Sequence, residues 1–392
     1  MRLKLIKSFI GGLAALLFLT VGSPSVLAEA KAYAVLEAET ERVLLESNAE
    51  ERLPMASTTK IMTCIVAIEQ CPLDTLVTVD SSAAGIEGSS MYLRAGETLS
   101  MEQLLYGLMI SSGNDAACAI AIHIAGSVPD FCAIMNKKAA EIGALNTNFT
   151  TPNGLPDDNH YTTAKDLGRI ACYAMRNETF RSIVSATSID LPADEDSPAR
   201  YLRSKNKILY QYDGGNGIKT GFTKAAGKCL VAGALREDMQ LISVVLNDYD
   251  MFNDSMALLN TAFEGYSMTD VLSSGEDMGS MPVQGGLEKS VSLSAAQEIS
   301  LPLAENEVNM VERKIIIPEC LDAPVKRGDT AGTVEIYFNG ELYASSDILA
   351  DGDVPEDTFM HHFMRVIRDF LGERGSIENS KISGSGGSGV ET

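Results

Sequence analysis

Ser57-Thr58-Thr59-Lys60-Ile61-Met62-Thr63-Cys64-Ile65-Val66-Ala67-Ile68-Glu69-Gln70 is apolar on almost every side once its opening turn is past. A helix without a polar face belongs at the centre of its domain. Lys60 resists that setting, one turn into the run. Positions i and i+3 share a helical face, so its amine and the Ser57 hydroxyl can meet. A nucleophile in a first turn also has free backbone N–H groups and the positive end of the helix dipole beside it. Burial depresses a lysine pKa, and neutral lysine is a competent base. Bringing it from ~10.4 to near 7 costs about 4–5 kcal/mol, a penalty that a purely structural lysine has no reason to bear. Ser-x-x-Lys alone also fits an N-cap followed by a surface lysine; the apolar run is what separates the two readings.

Around this helix the pattern predicts a β-hairpin from Tyr33–Leu36 and Arg42–Leu45. Helices follow at Met101–Ile110, Asp115–Ala125, Asp130–Ile142 and Thr163–Met175, the last with a capping box from Thr163 and Asp166. Beyond Gly217 the period becomes that of strands, Cys229–Leu235 and Leu241–Leu246 across Glu237-Asp238, and Asn253–Tyr266 closes as a helix. Hairpin, helical block, strands and final helix give an α+β fold, an antiparallel sheet with helices against it. From about Ser273 Gly, Ser and Pro accumulate between short strand-like pieces: Ser290–Leu293, Val311–Ile317, Thr333–Phe338 and Leu342–Ser345. Asn339-Gly340 is a two-residue hairpin signal. The expected divisions are a leader at 1–28, a mixed domain at 29–270, a small all-β domain at 275–350, an amphipathic helix at 356–372 and a flexible tail at 373–392.

The leader has Arg2, Lys4 and Lys7 ahead of an apolar run from Phe9 to Val21, then Gly22 and Pro24, then Val26-Leu27-Ala28. That is the pattern of a cleaved signal peptide, with the cut after Ala28. The run is short of the ~20 residues that span a bilayer. The 392 residues carry 31 Lys+Arg against 53 Asp+Glu, a net charge of -22, and losing the leader takes away three more cations. Such a balance excludes a nucleic-acid partner. Only 4 histidines are present, His361 and His362 side by side, so imidazole chemistry, a metal site and a cofactor are not expected. The 7 cysteines have no Cys-x-x-Cys spacing and mostly fall in apolar patterns, as small hydrophobes do.

Two further motifs stand downstream: Ser112-Gly113-Asn114 between two apolar helices, and Lys219-Thr220-Gly221 at the start of the strand region. Singly, each is as well read as a capped loop or a surface strand with its turn glycine. In this order, with Ser57-x-x-Lys60, they form the set of penicillin-recognising serine enzymes. More narrowly, the chain resembles the low-molecular-weight penicillin-binding proteins that are D-alanyl-D-alanine carboxypeptidases. The likeness runs through Pro54–Thr63, Gly88-Ser89-Ser90, Ser111–Asp115, Thr151-Pro152-Asn153-Gly154-Leu155, His160–Leu167 and Gly217–Thr223. Gly332–Gly340 is similar to that family's C-terminal module.

The resemblance implies a β-lactamase/transpeptidase-like domain, with helices on both sides of its sheet. It implies that Ser57 attacks the carbonyl between terminal D-alanines of a peptidoglycan stem peptide and that Lys60 takes its proton. Ser112 relays a proton to the leaving amine, and Asn114 holds Lys60 and the substrate amide. Lys219, Thr220 and Gly221 bind the substrate end, with Lys205 as a second cation. The backbone N–H groups of Ser57 and Phe222 form an oxyanion hole, although relatives often carry histidine where Phe222 stands. β-Lactams are the implied inhibitors, and the outer face of the cytoplasmic membrane is the implied location. A serine β-lactamase needs an E-x-x-x-N loop, which has no convincing match between Asn114 and Lys219. A D,D-endopeptidase would use the same residues, and a non-catalytic penicillin-binding wall protein would keep the fold. His123 and His160 are expected as core and loop-organising residues.

The C-terminal helix brings Phe359, Phe363, Ile367 and Leu371 together at four-residue spacing, joined by Met360, Met364, Val366 and Phe370. Packing against the β domain is the plainer reading. A terminal helix so rich in Phe and Met is expected instead to lie in a membrane surface.

Overall fold

A computed structural model describes residues 29–193, 197–368 and 370. The expected leader at 1–28 and tail at 373–392 fall outside the described residues. The chain forms two compact units. One comprises the chain up to Leu36 with Leu45–Ala234 and Leu241–Ala262; the other comprises Glu37–Leu44, Leu235–Gln240 and everything from Phe263.

β1 (Ala32–Glu37) and β2 (Val43–Ser47) form the hairpin expected from their alternation. A 3₁₀ turn, Ala56–Thr59, leads directly into α1 (Lys60–Gln70). Every residue of α1 from Lys60 to Ala67 is buried, and α1 touches α2 to α6 as they follow. The short pair β3 (Leu76–Thr78) and β4 (Thr98–Ser100) precedes α2 (Met101–Ile110). Ser100 accepts from Gln103 N while the Gln103 side chain accepts from Ser100 N, a complete capping box. α3 (Asn114–Ala125) and α4 (Val128–Ile142) follow, and left-handed Gly126 and Gly143 end them.

α5 (Ala164–Met175) has Thr163 as its N-cap, accepting from Asp166 N at 3.0 Å. The expected capping box is not closed. The buried Asp166 carboxylate turns away to Asn146 N at 2.7 Å and the Thr147 hydroxyl at 3.0 Å, which supplies it with donors from the preceding loop. α6 (Glu178–Ser185), β5 (Ser188–Leu191), β6 (Arg200–Arg203) and the single turn α7 (Ile208–Gln211) were not legible from periodicity. β5, β6 and α7 are four residues each, too short for a period to show, and the stripe of α6, Phe180, Ile183 and Val184, spans only two turns.

β7 (Gly215–Thr223), β8 (Gly227–Arg236) and β9 (Met239–Leu246) complete a sheet ordered β2-β1-β9-β8-β7. β7 pairs antiparallel with β8 and leaves its other edge open. α8 (Met251–Gly265) follows.

The second unit holds eight strands, β10 (Ser267–Leu272), β11 (Asp277–Gln284), β12 (Ser290–Ala295), β13 (Ile299–Leu303), β14 (Val311–Ile316), β15 (Leu321–Asp322), β16 (Thr330–Phe338) and β17 (Glu341–Ala350). β10 pairs with β13, and the other six form one sheet ordered β14-β16-β17-β12-β11-β15. Its core gathers Leu272, Met281, Leu293, Leu301, Val334, Ile336 and Ile348. Asn339 and Gly340, both at positive φ (52° and 79°), make the two-residue turn between β16 and β17. Residues 359–368 are helical. Phe359, Met360, Phe363, Met364, Val366 and Phe370 are all exposed there, Phe359 at 84%, and Ile367 is half-buried.

Candidate active site

α1 brings the first two candidates together. Lys60 is completely buried, and its Nζ lies 3.0 Å from Ser57 Oγ, 2.8 Å from Asn114 Oδ1 and 2.6 Å from the Asn153 carbonyl. All three partners are neutral. Burial first, and then the neighbouring Lys219 charge, hold the Lys60 pKa well below the ordinary lysine value. A neutral amine has two N–H donors and one lone pair. Asn114 Oδ1 and the Asn153 carbonyl take the two donors, which leaves the lone pair for the Ser57 hydroxyl proton. The same three oxygens would serve as acceptors for an ammonium.

The backbone around Ser57 is tightly determined. Ala56 and Ser112 are both non-glycine residues in the left-handed region, at φ 48° and 59°, a strain found where the surroundings impose it. Gly154, at φ 84°, lies so close that a Cβ there would come within 1.9 Å of the Ala56 carbonyl oxygen. Gly221 faces the same turn, where a Cβ would stand 3.0 Å from Ser57 N. Only glycine at both places lets β7 and the 151–155 loop close on the Ser57 turn.

Asn114 is fixed from behind. Its amide Nδ2 donates to the Glu87 carbonyl at 2.6 Å and its N–H to the Ser89 carbonyl at 2.7 Å. The 87–93 loop is in turn held by Asp115, which is fully buried and accepts from Ser90 Oγ at 2.5 Å, Leu93 N at 2.9 Å and Met91 N at 3.1 Å. On the other wall, Lys219 is 3% exposed and donates to Ser112 Oγ and to the Thr220 carbonyl, both at 3.0 Å. Burial brings its pKa down to about 7. The Lys219 charge thus adds to burial in lowering the Lys60 pKa, whereas burial is the cause of the Lys219 shift.

Ser57, Ser112, Lys219, Thr220, Gly221, Phe222 and Lys205 all line one cavity of about 270 Å³, with Met251 and Val184 among its apolar walls. Asn114 and Lys60 are buried and do not line it. Lys205 is exposed at the rim, and Phe222 is 65% exposed. Asn153 and Asp115 went unassigned in the sequence, although Asn153 stands in a quoted stretch and Asp115 directly follows Asn114. The contact of Asn153 is made by its backbone oxygen, which no residue type announces. His160 is buried, with Nε2 2.7 Å from Thr59 Oγ1 and Nδ1 accepting from Thr150 N at 3.1 Å. It organises the loop under the site. All seven cysteines are free thiols; six are buried and Cys320 is exposed. Among the described residues no cluster could hold a metal ion.

A family profile described as D-alanyl-D-alanine carboxypeptidase matches residues 20–250, and one described as penicillin-binding protein 5, C-terminal domain, matches 266–356. The D-alanyl-D-alanine carboxypeptidase DacF of Bacillus subtilis is 31% identical over 351 residues, spanning 87% of this chain and 90% of that one. DacC of Escherichia coli, with the same description, is 31% identical across 87% of each chain. Among solved structures, penicillin-binding protein 5 from Haemophilus influenzae covers 84% of this chain and 98% of its own, at 30% identity and a TM-score of 0.69.

Proposed function

This chain belongs to the D-alanyl-D-alanine carboxypeptidase family, and from that premise we propose the mechanism by which it acts. It is a serine-type D-Ala-D-Ala carboxypeptidase, a hydrolase of peptidoglycan stem peptides with the fold of the penicillin-binding proteins. Ser57 Oγ attacks the carbonyl carbon of the penultimate D-alanine as Lys60 Nζ takes its proton. Ser112 passes a proton to the departing amine, D-alanine leaves, and an ester joins Ser57 to the shortened peptide. Water, deprotonated by Lys60, then cleaves that ester. Asn114 Nδ2 and Oδ1 hold substrate and base. Lys219 and Thr220 receive the terminal carboxylate, Lys205 adds charge at the rim, and the N–H groups of Ser57 and Phe222 stabilise the oxyanion. A β-lactam enters as the same kind of acyl donor.

The observation that carries this reading is Lys60 itself: a fully buried amine, 3.0 Å from Ser57 Oγ, with only neutral partners. Arginine keeps its proton at every accessible pH. Lys60→Arg therefore lowers D-alanine release from a pentapeptide ending in D-Ala-D-Ala by about three orders of magnitude or more. Activity within tenfold of wild type would remove Lys60 from the role of base.

A wall substrate requires export, which the leader at 1–28 supplies, cleaved after Ala28. The helix from Phe359 onward is read as an in-plane membrane anchor, supported by its exposed Phe and Met side chains. Truncation after Pro355 should release the protein from membranes, and unchanged partition would refute the anchor.

A further inference from the structure

β7 gives the site a direction. Lys219 and Thr220 come first along it, Gly221 abuts Ser57, and Phe222 follows on the open edge. An extended peptide can add itself to such an edge as a further strand. If its terminal carboxylate lies at Lys219 and its scissile carbonyl at Ser57, its upstream residues pass Phe222 and reach the β7–β8 turn. A second cavity, of about 320 Å³, opens there and shares Phe222 with the catalytic cleft.

The lining of this cavity runs against the composition of the protein. In a chain of net charge -22, it presents two lysines, Lys224 and Lys228, and two aromatic rings, Phe222 and Tyr249. Tyr249 is 84% exposed, so neither ring is there for the core. Lys228 is held ready: its Nζ donates to the Tyr249 carbonyl at 2.8 Å and lies 6.0 Å over that ring. Two of its three N–H donors stay available. Lys224 is exposed and makes no ion pair among the described residues. The single acidic wall is Asp248, buried and turned to Asp250 N at 2.8 Å.

We propose that this cavity is a specificity subsite for a carboxylate-bearing residue of the stem peptide, N-terminal to the D-Ala-D-Ala pair. Lys224 and Lys228 receive the carboxylate, while Phe222 and Tyr249 cover the aliphatic part of that residue. The assignment rests on the carboxypeptidase reading for its direction, and it adds a preference that the catalytic residues do not contain.

The test uses the full chain and two synthetic peptides, acyl-X-D-Ala-D-Ala, with X either glutamate or its neutral amide, glutamine. Wild type should prefer the anionic peptide by roughly fivefold in kcat/KM, the scale of two partly exposed ion pairs. The preference should shrink with added salt. In Lys224→Ala/Lys228→Ala the ratio of the two kcat/KM values should fall to about one, and in Lys224→Glu/Lys228→Glu it should invert. No preference in wild type, or a preference that survives both double variants, overturns the subsite and leaves the catalytic reading standing. Failure of wild type to release D-alanine from either peptide overturns the catalytic reading itself, and the subsite with it.

Discussion

His160 sits under the nucleophile's turn as a neutral ring, and acid should find it. Its Nδ1 accepts from Thr150 N, its Nε2 faces Thr59 Oγ1, and Phe149 packs edge-on with ring centroids 5.9 Å apart. Protonating Nδ1 would set it against a donor, inside a site too dry to solvate the charge. Burial accordingly lowers its pKa from 6.5 to about 4. Between those values the unfolded chain binds a proton that the folded chain refuses, so stability falls as pH drops through this window and is retained above it. The full gap corresponds to about 3 kcal/mol, of which about 2 kcal/mol is lost by pH 5. His160→Gln keeps an acceptor and a donor but does not titrate. It should be less stable than wild type at pH 7, by about 1–2 kcal/mol for imperfect packing. At pH 5 that deficit should shrink by about 2 kcal/mol or reverse. Urea unfolding of both proteins at the two pH values, followed by circular dichroism, reads the difference. A deficit unchanged to within about 0.5 kcal/mol would refute the buried neutral imidazole.

Two substitutions test the surroundings of Ser57. Gly154→Ala sets a Cβ within 1.9 Å of the Ala56 carbonyl at a positive φ, so it should destabilise by about 2 kcal/mol or more and slow penicillin acylation at least tenfold; wild-type kinetics would show that the loop does not fix the turn. Lys219→Met removes a charged hydrogen bond to the substrate carboxylate and should lower kcat/KM by about 10–100-fold. Because Lys219 also holds the Lys60 pKa down, the acidic limb of the acylation-rate profile should move to higher pH in this variant; a limb that stays put would show that burial acts alone.

The central helix, its base and the three motifs were legible because each is written in side-chain chemistry at fixed spacing. Lys60 stood out against Ile61, Met62 and Ile65, all fully or almost fully buried in the fold. The Asn339-Gly340 turn was legible for a conformational reason, since both positions take positive φ. What escaped was carried by the backbone or by distance along the chain. Asn153 offers a carbonyl, which any residue would supply. Asp166 serves Asn146 in place of its own helix start, a choice set by an N–H 20 residues away in the sequence. Asp115 had no role written in its spacing, and only the fold brings the 87–93 loop onto it. β5 and β6 are short strands outside the main sheet, so alternation had little length in which to appear.

The most direct measurement is peptide-mapped mass spectrometry of the protein after brief exposure to labelled penicillin and, separately, to a pentapeptide ending in D-Ala-D-Ala. The account predicts one penicilloyl group per chain, on the peptide that contains Ser57, and, in the second case, D-alanine release that continues through many turnovers per chain. It also predicts that Ser57→Ala loses both. An acyl group on any other residue, or either activity surviving in Ser57→Ala, would contradict it.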